Sequence, residues 1–414
     1  MTFPTDLLQA QAFLTSRIQT VTRVEALRTV DALGCILAED IFAPSSLPRF
    51  ANAAMDGYAV RGSDLSGSVT ELKVGRAVAA GDTTDHMLVA GVAMPITTGA
   101  IIPPGATRVV MYEDARLEGD KVFLSPPDGG RPHIRHVGED ISEGQLALSR
   151  GTLLRPGHMP LLIALGIDLV HVIARPRVAI LSTGNELIEH PHLPQPGQIH
   201  DTNRPMITRM LTDEGATVTD LGISTDSPDA ITQALSAASM NHDLLVTTGG
   251  ASMSFSDHVA RAVKTIGSID FWRLDMRPGK PVGFGEIGAC PILILPGNPV
   301  AAASGFANLG RVVLQKLAGT NNPQTVLRLP ITATYGKPDG KTHMLLSRIV
   351  QSSAGALGVE PLPVQSSSSY SALAAADVLI AVRPGQTSLA PGDLVDVVPL
   401  WGGGMSRMIR RSIA

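Results

Sequence analysis

The sequence predicts a multidomain α/β plus β protein: a central parallel α/β domain, a β-rich insertion domain, a helical and extended linker domain, and a small C-terminal β-barrel. The chain has 414 residues, more than a single hydrophobic core usually serves. Strand-like and helix-like segments alternate between residues 177 and 325. Short strands separated by Pro and Gly turns occupy the regions before and after that segment.

Two of the four predicted domains lie in the first 176 residues. Residues 1–45 carry apolar side chains at near-helical spacing, which predicts helix. From 46 to 145 the pattern changes to short strands between turns, typical of a β-rich domain. Residues 146–176 return to a mixed helical and extended pattern. We therefore predict one discontinuous linker domain, formed by residues 1–45 and 146–176.

The α/β domain is predicted over residues 177–325, because strands that alternate with helices imply a parallel sheet with helices on both faces. One helix has Thr202 or Asn203 as its N-cap and Pro205 in its first turn, and a second repeats this cap-then-proline start in the segment DSPDA. Residues 326–414 form short strands with Pro and Gly turns and predict the β-barrel.

Composition excludes several classes of function. The net charge is −4 and aromatic residues make up 4%, so neither electrostatics nor base stacking favours a nucleic-acid surface. Cys35 and Cys290 are far apart and lack metal-ligand spacing, which indicates a reducing compartment. The N-terminus has no continuous apolar signal region, and Gly166 and Asp168 interrupt the most apolar stretch. We therefore expect a cytoplasmic protein that binds neither nucleic acid nor membrane.

Three strand ends of the α/β domain carry loops rich in Gly, Thr, Ser and Asn: LSTGNEL, VTTGGASMSFSD and ILPGNPVAA. In an open parallel sheet, ligands bind outside the carboxyl ends of the strands. Glycine lets the backbone approach a ligand closely, and the helix that begins near Asn298 adds the positive end of its dipole. The loops are therefore expected to bind a phosphate or another oxyanion, although glycine-rich strand ends are often only turns.

Three acids, Glu186, Asp226 and Asp257, follow strands at the same expected sheet edge. Clustered carboxylates repel one another unless a proton or cation intervenes, so a hard divalent ion such as Mg²⁺, bridging to a phosphate, is the simplest expectation. The alternative is that Asp226 and Asp257 cap helices and Glu186 is an ordinary first-turn acid. Nearby basic residues would bind anions or form a solvated strand face; they are Arg273, Arg277 and Lys280.

Four polar residues of the β-rich domain have simple structural interpretations. Asp56 fits an Asp-Gly turn, and Thr98 fits a turn hydroxyl. Arg135 and Asp140 could form a structural ion pair. Spacing alone therefore assigns no function to these four side chains.

Eight short motifs follow one another along the chain: NAAMDGYAVR, PITTGA, RHVGEDI, LSTGNEL, GQIHDTNR, TTGGASMSFSD, MRPGKP and LPGNPVAA. Their order and spacing resemble those of the molybdopterin molybdenumtransferases, the family of bacterial MoeA and the E domain of gephyrin. The resemblance covers essentially the whole chain and is clearest over residues 52–300. Eight ordered motifs are far more specific than any one of them.

The resemblance implies an elongated four-domain subunit in a homodimer. Its α/β domain would be the molybdopterin-binding domain, and the β-rich domain of the other subunit would close the cleft. The implied reaction takes adenylylated molybdopterin and molybdate as substrates, cleaves the phosphoanhydride with Mg²⁺, and releases AMP and the molybdenum cofactor. Molybdopterin adenylyltransferase and the apo-proteins of molybdoenzymes are the implied protein partners.

The resemblance also implies a role for each motif residue. The implied catalytic residues are Asp56, Thr98, Asp140, Glu186, Asp226 and Asp257. Of these, Glu186 and Asp257 would hold the metal ion. The implied substrate-binding residues are Arg135, Thr183, Gly184, Gly249, Gly250, Ser252, Arg273, Arg277, Lys280, Pro296, Gly297, Asn298 and Pro299.

The chain departs from the family pattern at a few positions. It has Asn185 where the family usually has Asp, Ser254 where Gly is usual, and Arg273 where Lys is common. Three alternatives therefore stand beside the leading hypothesis. They are a divergent paralogue that inserts tungstate, a non-catalytic cofactor carrier, and a molybdopterin adenylyltransferase.

Overall fold

The structure is a computed structural model that describes residues 5–83, 86–125, 130–250, 258–320 and 327–401. Two predicted site residues, Ser252 and Asp257, lie outside these ranges. The chain divides into two compact units. The first unit comprises Met1–Glu25, Gly34–Ile36 and His171–Ala414, and the second unit comprises Ala26–Leu33 and Leu37–Val170.

The second unit is built on a six-stranded sheet, and the strands of this sheet lie within the region predicted to be β-rich. Neighbouring strands are antiparallel except for one parallel pair, Thr70–Val74 with Val92–Ile96. Alternate side chains fill two small hydrophobic cores. In sheet order the strands are Arg108–Met111, Gly57–Val60, Val92–Ile96, Thr70–Val74, Lys121–Leu124 and Ala115–Glu118.

Smaller elements complete the second unit. Asn52–Ala53 pairs with Ile134–Arg135, and Ile41–Phe42 pairs with Leu146–Leu148. A short α-helix, Met159–Ala164, precedes Gly166, which has a φ of 76° and stops the helix. Three single turns of 3₁₀-helix are Gly62–Asp64, Tyr112–Asp114 and Pro156–His158.

The helix predicted from the spacing over residues 1–45 is wrong beyond Arg17. The helix Leu7–Arg17 begins after Asp6, whose carboxylate accepts a hydrogen bond from the Gln9 N–H at 2.9 Å. The chain then becomes extended, because β-branched residues favour strands and Gly34, with a φ of 80°, makes a turn. The strands in this part and in the later linker segment are Val24–Arg28, Ile36–Leu37, Ile41–Phe42 and Leu169–Ile173.

A six-stranded sheet with helices on both faces forms the centre of the first unit, as predicted for residues 177–325. The first four strands of the following list are parallel, so their carboxyl ends meet at one edge. In sheet order the strands are Thr217–Ser224, Arg177–Thr183, Leu244–Thr248, Cys290–Leu295, Gly283–Ile287 and Ser268–Trp272.

Successive side chains of the central strands face two different hydrophobic cores. Ile180 and Val246 lie in the larger core, and Leu181 and Leu245 lie in the core on the opposite face. The helices of the larger core are Leu7–Arg17, Asn203–Asp213, Pro299–Gly305 and Arg311–Leu317, the last two joined by the π-helical turn Phe306–Gly310. The helices of the other core are Pro228–Ser239 and His258–Ile266. No helix in the described ranges is long and apolar enough to cross a membrane.

The sheet differs from a fully parallel one at its edge. Gly283–Ile287 and Ser268–Trp272 run antiparallel to their neighbours. Only two residues join Gly283–Ile287 to Cys290–Leu295, and the first of them, Gly288, has a φ of 60°. Such a tight turn connects antiparallel strands only. The edge at which ligands are expected is formed by the parallel strands and is unaffected.

The C-terminal strands close into the predicted small β-barrel. The ring is completed by a bridge between Ile331 and Val359. Met276–Arg277 adds to this sheet by pairing in parallel with the start of the longest strand. Around the barrel the strands are Leu327–Pro330, Leu394–Pro399, Val378–Val382, Thr342–Gln351 and Leu357–Pro361. The remaining elements of the unit are the strand pairs Tyr335–Gly336 with Ser388–Leu389 and Leu187–Ile188 with Ile199–His200, and the helix Tyr370–Ala375.

Candidate functional site

A cavity of about 480 Å³ lies at the carboxyl edge of the parallel strands in the first unit. Its position agrees with the expectation for open parallel sheets. Seven predicted site residues line it: Thr183, Glu186, Gly249, Gly250, Pro296, Gly297 and Asn298. The other lining residues are Leu187, Ile199, His200, Asp201, Thr202, Asn203, Thr248, Pro281 and Tyr370. The three loops identified in the sequence therefore do converge.

Two glycines of the cavity wall are required by close backbone approach. Gly249 has a φ of 86°, and a Cβ atom there would lie 2.3 Å from the carbonyl oxygen of Thr183. Gly250 has a φ of 63°, and a Cβ atom there would lie 2.8 Å from the Thr183 hydroxyl. No L side chain fits these positions without strain. The Gly-Gly sequence after Thr248 thus brings two strand ends into contact beneath the cavity.

The carboxylate of Glu186 folds back over the first loop. A Cβ atom at Gly184 would lie 2.7 Å from Glu186 Oε2, so a side chain at this position would displace the carboxylate. Glu186 is exposed, and no hydrogen bond or ion pair engages its carboxylate within the described ranges. Its backbone oxygen accepts from the Ile199 N–H at 2.8 Å, which fixes the loop. Glu186 is therefore held beside the cavity, and no residue of the described ranges compensates its charge.

Asp226 does not line the cavity but organises the loop that does. The Asn185 N–H donates to Asp226 Oδ2 at 3.3 Å, and the Asp226 N–H donates to Asn185 Oδ1 at 3.1 Å. The helix N-cap is the next residue, Ser227, so the predicted alternative that Asp226 caps this helix is wrong. Asn185 provides the side-chain acceptor that an Asp would also provide.

The third acid of the predicted cluster, Asp257, and the loop residue Ser252 lie outside the described residues. The pairing of Glu186 with Asp257 at a metal ion therefore stays a prediction. Within the described ranges, no group of three or more His, Cys, Asp or Glu side chains is arranged to hold a metal ion.

The three predicted basic residues are exposed and differ in setting. Arg273 has a φ of 145°, which residues other than glycine rarely adopt. Arg277 belongs to the strand pair that joins the α/β domain to the barrel. Lys280 directly precedes Pro281 of the cavity wall. The segment Met276–Pro281 therefore runs from the barrel to the cavity.

Arg277 lies in a cluster of positive charge with Lys337 and Lys341. The sequence did not identify Lys337 as a functional candidate. Lys337 is 7% exposed, and its ammonium donates to the Lys341 carbonyl oxygen at 2.9 Å without an acidic partner in the described part of the chain. Burial, together with the charges of Lys337, Arg277 and Lys341, lowers the pKa of His343. Tyr335 shares a 2.8 Å hydrogen bond with Nδ1 of that histidine. This surface is suited to an anion.

Arg204 is a second residue that the sequence did not identify as functional. It stabilises the cavity wall through ion pairs. Its guanidinium contacts Asp201, Asp220 and Glu189, with 2.8 Å contacts to Asp201 and Glu189. Burial alone would lower the pKa of Arg204, but the hydrogen bonds that Arg204 donates to Asp220 and Asp201 raise this pKa above its usual range. Buried arginine with carboxylates on several sides fixes their orientation. Asp201 and the residues after it are thereby held at the cavity.

The second unit brings its own predicted residues together. The Thr98 N–H donates to Asp56 Oδ1 at 2.6 Å. The strand that carries Arg135 pairs with the strand Asn52–Ala53. In this pairing Arg135 lies opposite Asn52, which is four residues before Asp56. Arg135 and Asp140 are exposed, and no ion pair joins them within 4.0 Å, so the predicted structural pair is wrong. Asp56, Thr98 and Arg135 thus lie on one connected set of loops.

These features define a class: a multidomain protein whose α/β domain has a cavity of ligand size at the carboxyl edge of its sheet. Three family models match the chain in order. They are the MoeA N-terminal region, domains I and II, over residues 5–166; a probable molybdopterin binding domain over 179–316; and the MoeA C-terminal region, domain IV, over 328–400.

Relatives agree with these matches. The chain is 33% identical over 394 residues to a molybdopterin molybdenumtransferase from Haemophilus influenzae. This alignment covers 94% of this chain and 97% of that protein. It is 35% identical over 321 residues to molybdopterin molybdenumtransferase 2 from Mycobacterium tuberculosis, covering 75% and 79%. A molybdopterin biosynthesis MoeA protein from Pyrococcus horikoshii has a TM-score of 0.82 at 27% identity, covering 96% and 100%. The chain belongs to the molybdopterin molybdenumtransferase family of enzymes.

Proposed function

We propose that this enzyme inserts molybdate into adenylylated molybdopterin and releases AMP, the last step of molybdenum cofactor biosynthesis. The observation that carries the proposal is the cavity at the carboxyl edge of the sheet, with the unpaired carboxylate of Glu186 beside its glycine-lined wall. Its volume of about 480 Å³ lies in the range of small-molecule sites. Family membership supplies the reaction class.

The cavity wall supports binding of a phosphorylated ligand. Gly249 and Gly250 remove side chains from the wall, so that a ligand can approach the backbone closely. Asn298 and the prolines on either side of it shape the third loop. Backbone and side-chain amide groups of this kind bind phosphate oxygens without requiring a charged partner.

Molybdate is an oxyanion, and the cluster around Arg277 suits it. Lys337 and Lys341 add positive charge, and neither forms an ion pair within the described ranges, while Asp339 interacts with Lys337 only at longer range. Residues 276–281 continue from this cluster to the cavity wall. Lys280 therefore lies in sequence between Arg277 of the cluster and Pro281 of the wall. We propose that the cluster attracts molybdate and that Lys280 and Arg273 meet substrate oxygens.

Mg²⁺ would neutralise the charge of the phosphoanhydride as it is cleaved. The residues present fit such an ion, because Glu186 offers a carboxylate that is free of protein partners in the described ranges. Asp257 is the proposed second ligand. Asp226 orients the loop of Glu186 through Asn185, so its contribution to catalysis is one of positioning.

We propose that the active enzyme is a homodimer whose site is shared between subunits. Asp56, Thr98, Arg135 and Asp140 would reach the cavity of the other subunit. All four are exposed, as residues that meet a ligand or a second subunit must be. Molybdopterin adenylyltransferase would supply the substrate, and apo-molybdoenzymes would receive the product.

One experiment distinguishes the proposal from its alternatives. Purified protein is incubated with adenylylated molybdopterin, Mg²⁺ and either molybdate or tungstate, and AMP release is followed together with metal incorporation. The proposal predicts both signals with molybdate. Both signals with tungstate alone would indicate a tungstate-inserting enzyme, and tight binding without either signal would indicate a carrier. A parallel reaction with ATP and molybdopterin tests for an adenylyltransferase, which the matched N- and C-terminal MoeA regions argue against.

A further inference from the structure

Two buried oxygen atoms of the cavity wall lack a hydrogen-bond partner among the described residues: Oδ1 of Asn203 and Oγ1 of Thr183. Asn203 is 7% exposed and Thr183 is 2% exposed. A buried polar atom without a partner destabilises a fold, so such atoms in a cavity wall indicate a ligand that supplies the missing partner.

The orientation of the Asn203 amide decides which partner it needs. Its nitrogen donates to the carbonyl oxygens of Gly297 at 2.7 Å and Pro296 at 3.5 Å. Because both of these atoms are acceptors, the amide cannot be flipped, and Oδ1 is left as an acceptor only. A phosphate oxygen would be repelled there. The missing partner must be an N–H or O–H donor.

The neighbouring glycines leave no side chain against the buried Thr183 hydroxyl. A Cβ atom would lie 2.8 Å from Thr183 Oγ1 if placed at Gly250 and 3.3 Å if placed at Gly249. The adjacent pair, Ser182 and Thr248, is instead satisfied internally by a 2.9 Å hydrogen bond between the two hydroxyls. The strand ends thus contain one satisfied hydroxyl pair and, beside it, one hydroxyl left available at the cavity.

We propose that Asn203 and Thr183 recognise the donor edge of an amino-substituted nitrogen heterocycle. Such an edge presents adjacent N–H groups to acceptors, whereas the phosphates are bound elsewhere in the cavity. The assignment rests on the proposed function, whose substrate contains two rings with amino groups, the pterin and the adenine. Asn203 and Thr183 are then specificity-determining residues for one of these rings.

The test measures the dissociation constant of adenylylated molybdopterin by ultrafiltration with the full-length protein in the absence of molybdate. Thr183→Val is expected to raise this dissociation constant about fivefold to tenfold, because one neutral hydrogen bond is lost. The thermal unfolding temperature should not fall, because no internal hydrogen bond is lost. Thr247→Val is the matched control, since its hydroxyl is also buried and unpartnered but does not line the cavity, and binding should be unchanged.

Asn203→Ala provides a second variant with its own control. Asn308 is 1% exposed and donates its amide to the Ser304 carbonyl oxygen at 2.8 Å, away from the cavity. Asn203→Ala and Asn308→Ala both lose an amide-to-carbonyl bond and should lose stability. Only Asn203→Ala should also weaken substrate binding.

Separate titrations with molybdopterin and with AMP identify the ring. The ligand whose affinity falls in Thr183→Val is the one recognised, and a fall for either ligand supports the proposal. If the wild-type protein binds the substrate and releases AMP, but neither Thr183→Val nor Asn203→Ala changes the affinity for the substrate, this proposal alone is overturned. A wild-type protein that binds no substrate would instead overturn the proposed function.

Discussion

Glu186 and Glu189 are three residues apart, yet their surroundings assign them different roles. Glu189 is paired with Arg204 at 2.8 Å, so its charge is used within the fold. Glu186 lies over Gly184 without a partner in the described ranges. An uncompensated carboxylate beside a cavity is a candidate for function, whereas a paired one is a candidate for stability.

We predict that Glu186→Gln lowers the rate of AMP release by about 100-fold or more, because the neutral amide is a much weaker ligand for a divalent cation than a carboxylate and does not accept a proton. Stability should be unchanged, since no internal contact is lost. Glu189→Gln is the control and should lose stability while keeping activity within a few-fold. A Glu186→Gln protein with wild-type turnover would show that this carboxylate is not part of the chemistry.

The sequence identified seven residues of the cavity wall but missed Asn203, Arg204 and Lys337 as functional candidates. The seven lie in glycine-rich loops at strand ends, a local signal. Asn203 was assigned only a capping role, and its importance depends on Gly297, which is distant in the chain. Lys337 is significant because Arg277 and Lys341 lie near it in the folded barrel. Contacts between distant segments cannot be read from local pattern.

At the scale of elements, the loop after Leu244–Thr248 is fixed by its two glycines. Gly249→Ala should destabilise the protein by about 2–4 kcal/mol, because its Cβ would meet the Thr183 carbonyl and its positive φ would be strained. Gly288→Ala is the matched control. It also has a positive φ but nothing within 4 Å of the added Cβ, so about 1 kcal/mol is expected. Denaturant unfolding measures the loss of stability in both variants. Equal losses would mean that the contact between residue 249 and the Thr183 carbonyl is not tight.

A partly buried ion pair joins the segment after the first helix to the central sheet. Arg23 contacts Asp243 through two hydrogen bonds of 2.7 Å, and the Arg177 N–H donates to the same carboxylate at 2.7 Å. Burial raises the pKa of the Asp243 carboxyl, but the hydrogen bonds from Arg23 and Arg177 outweigh burial and hold the pKa below its usual value.

Asp243→Asn should therefore cost about 2 kcal/mol at neutral pH. A carboxyl whose pKa is lower in the folded state stabilises the fold above its unfolded pKa of about 3.9, and this stabilisation is lost as the pH falls through the folded value. The difference in unfolding free energy between wild type and variant should be constant from pH 8 to 5 and should narrow below about pH 4. A difference that widens on acidification would contradict this assignment.

Elements with strong local signals were predicted well. Helix Asn203–Asp213 begins after Thr202 with Pro205 in its first turn, as the sequence indicated. The antiparallel strand at the sheet edge was not anticipated, because a two-residue turn between apolar runs looks much like other turns. The helix over residues 1–45 was over-extended because apolar spacing in a strand–turn–strand path can imitate helical periodicity.

At the scale of the whole molecule, the shared-site homodimer makes a prediction that a monomer cannot satisfy. Asp56→Asn and Glu186→Gln proteins should each be inactive, but mixed dimers contain one cavity in which both residues are wild type. Mixing equal amounts of the two proteins with full subunit exchange should restore up to about half of the wild-type activity in each mixed dimer. This is about a quarter of the wild-type activity for the whole sample, because half of the dimers are mixed. Exchange verified by mass, without any restored activity, would argue for a site within one subunit.

The order of domains along the chain was the most predictable property of the molecule. Alternation of strands and helices, followed by short strands with turns, is sufficient to indicate the α/β sheet and the barrel. The assignment of function needed the eight ordered motifs, since each motif alone is compatible with a simple turn or cap. Asp56 shows why: its carboxylate accepts a hydrogen bond from the Thr98 N–H, 42 residues further along the chain, and that structural contact alone would explain its presence.

The most direct test of the central claim is the ratio of AMP released to molybdenum incorporated in a single turnover. Protein in excess over adenylylated molybdopterin is mixed with Mg²⁺ and molybdate, and both products are quantified from the same samples. Molybdenumtransferase activity predicts a ratio of about one and no AMP when molybdate is omitted. AMP release that does not depend on molybdate, or molybdenum incorporation without AMP, would contradict it.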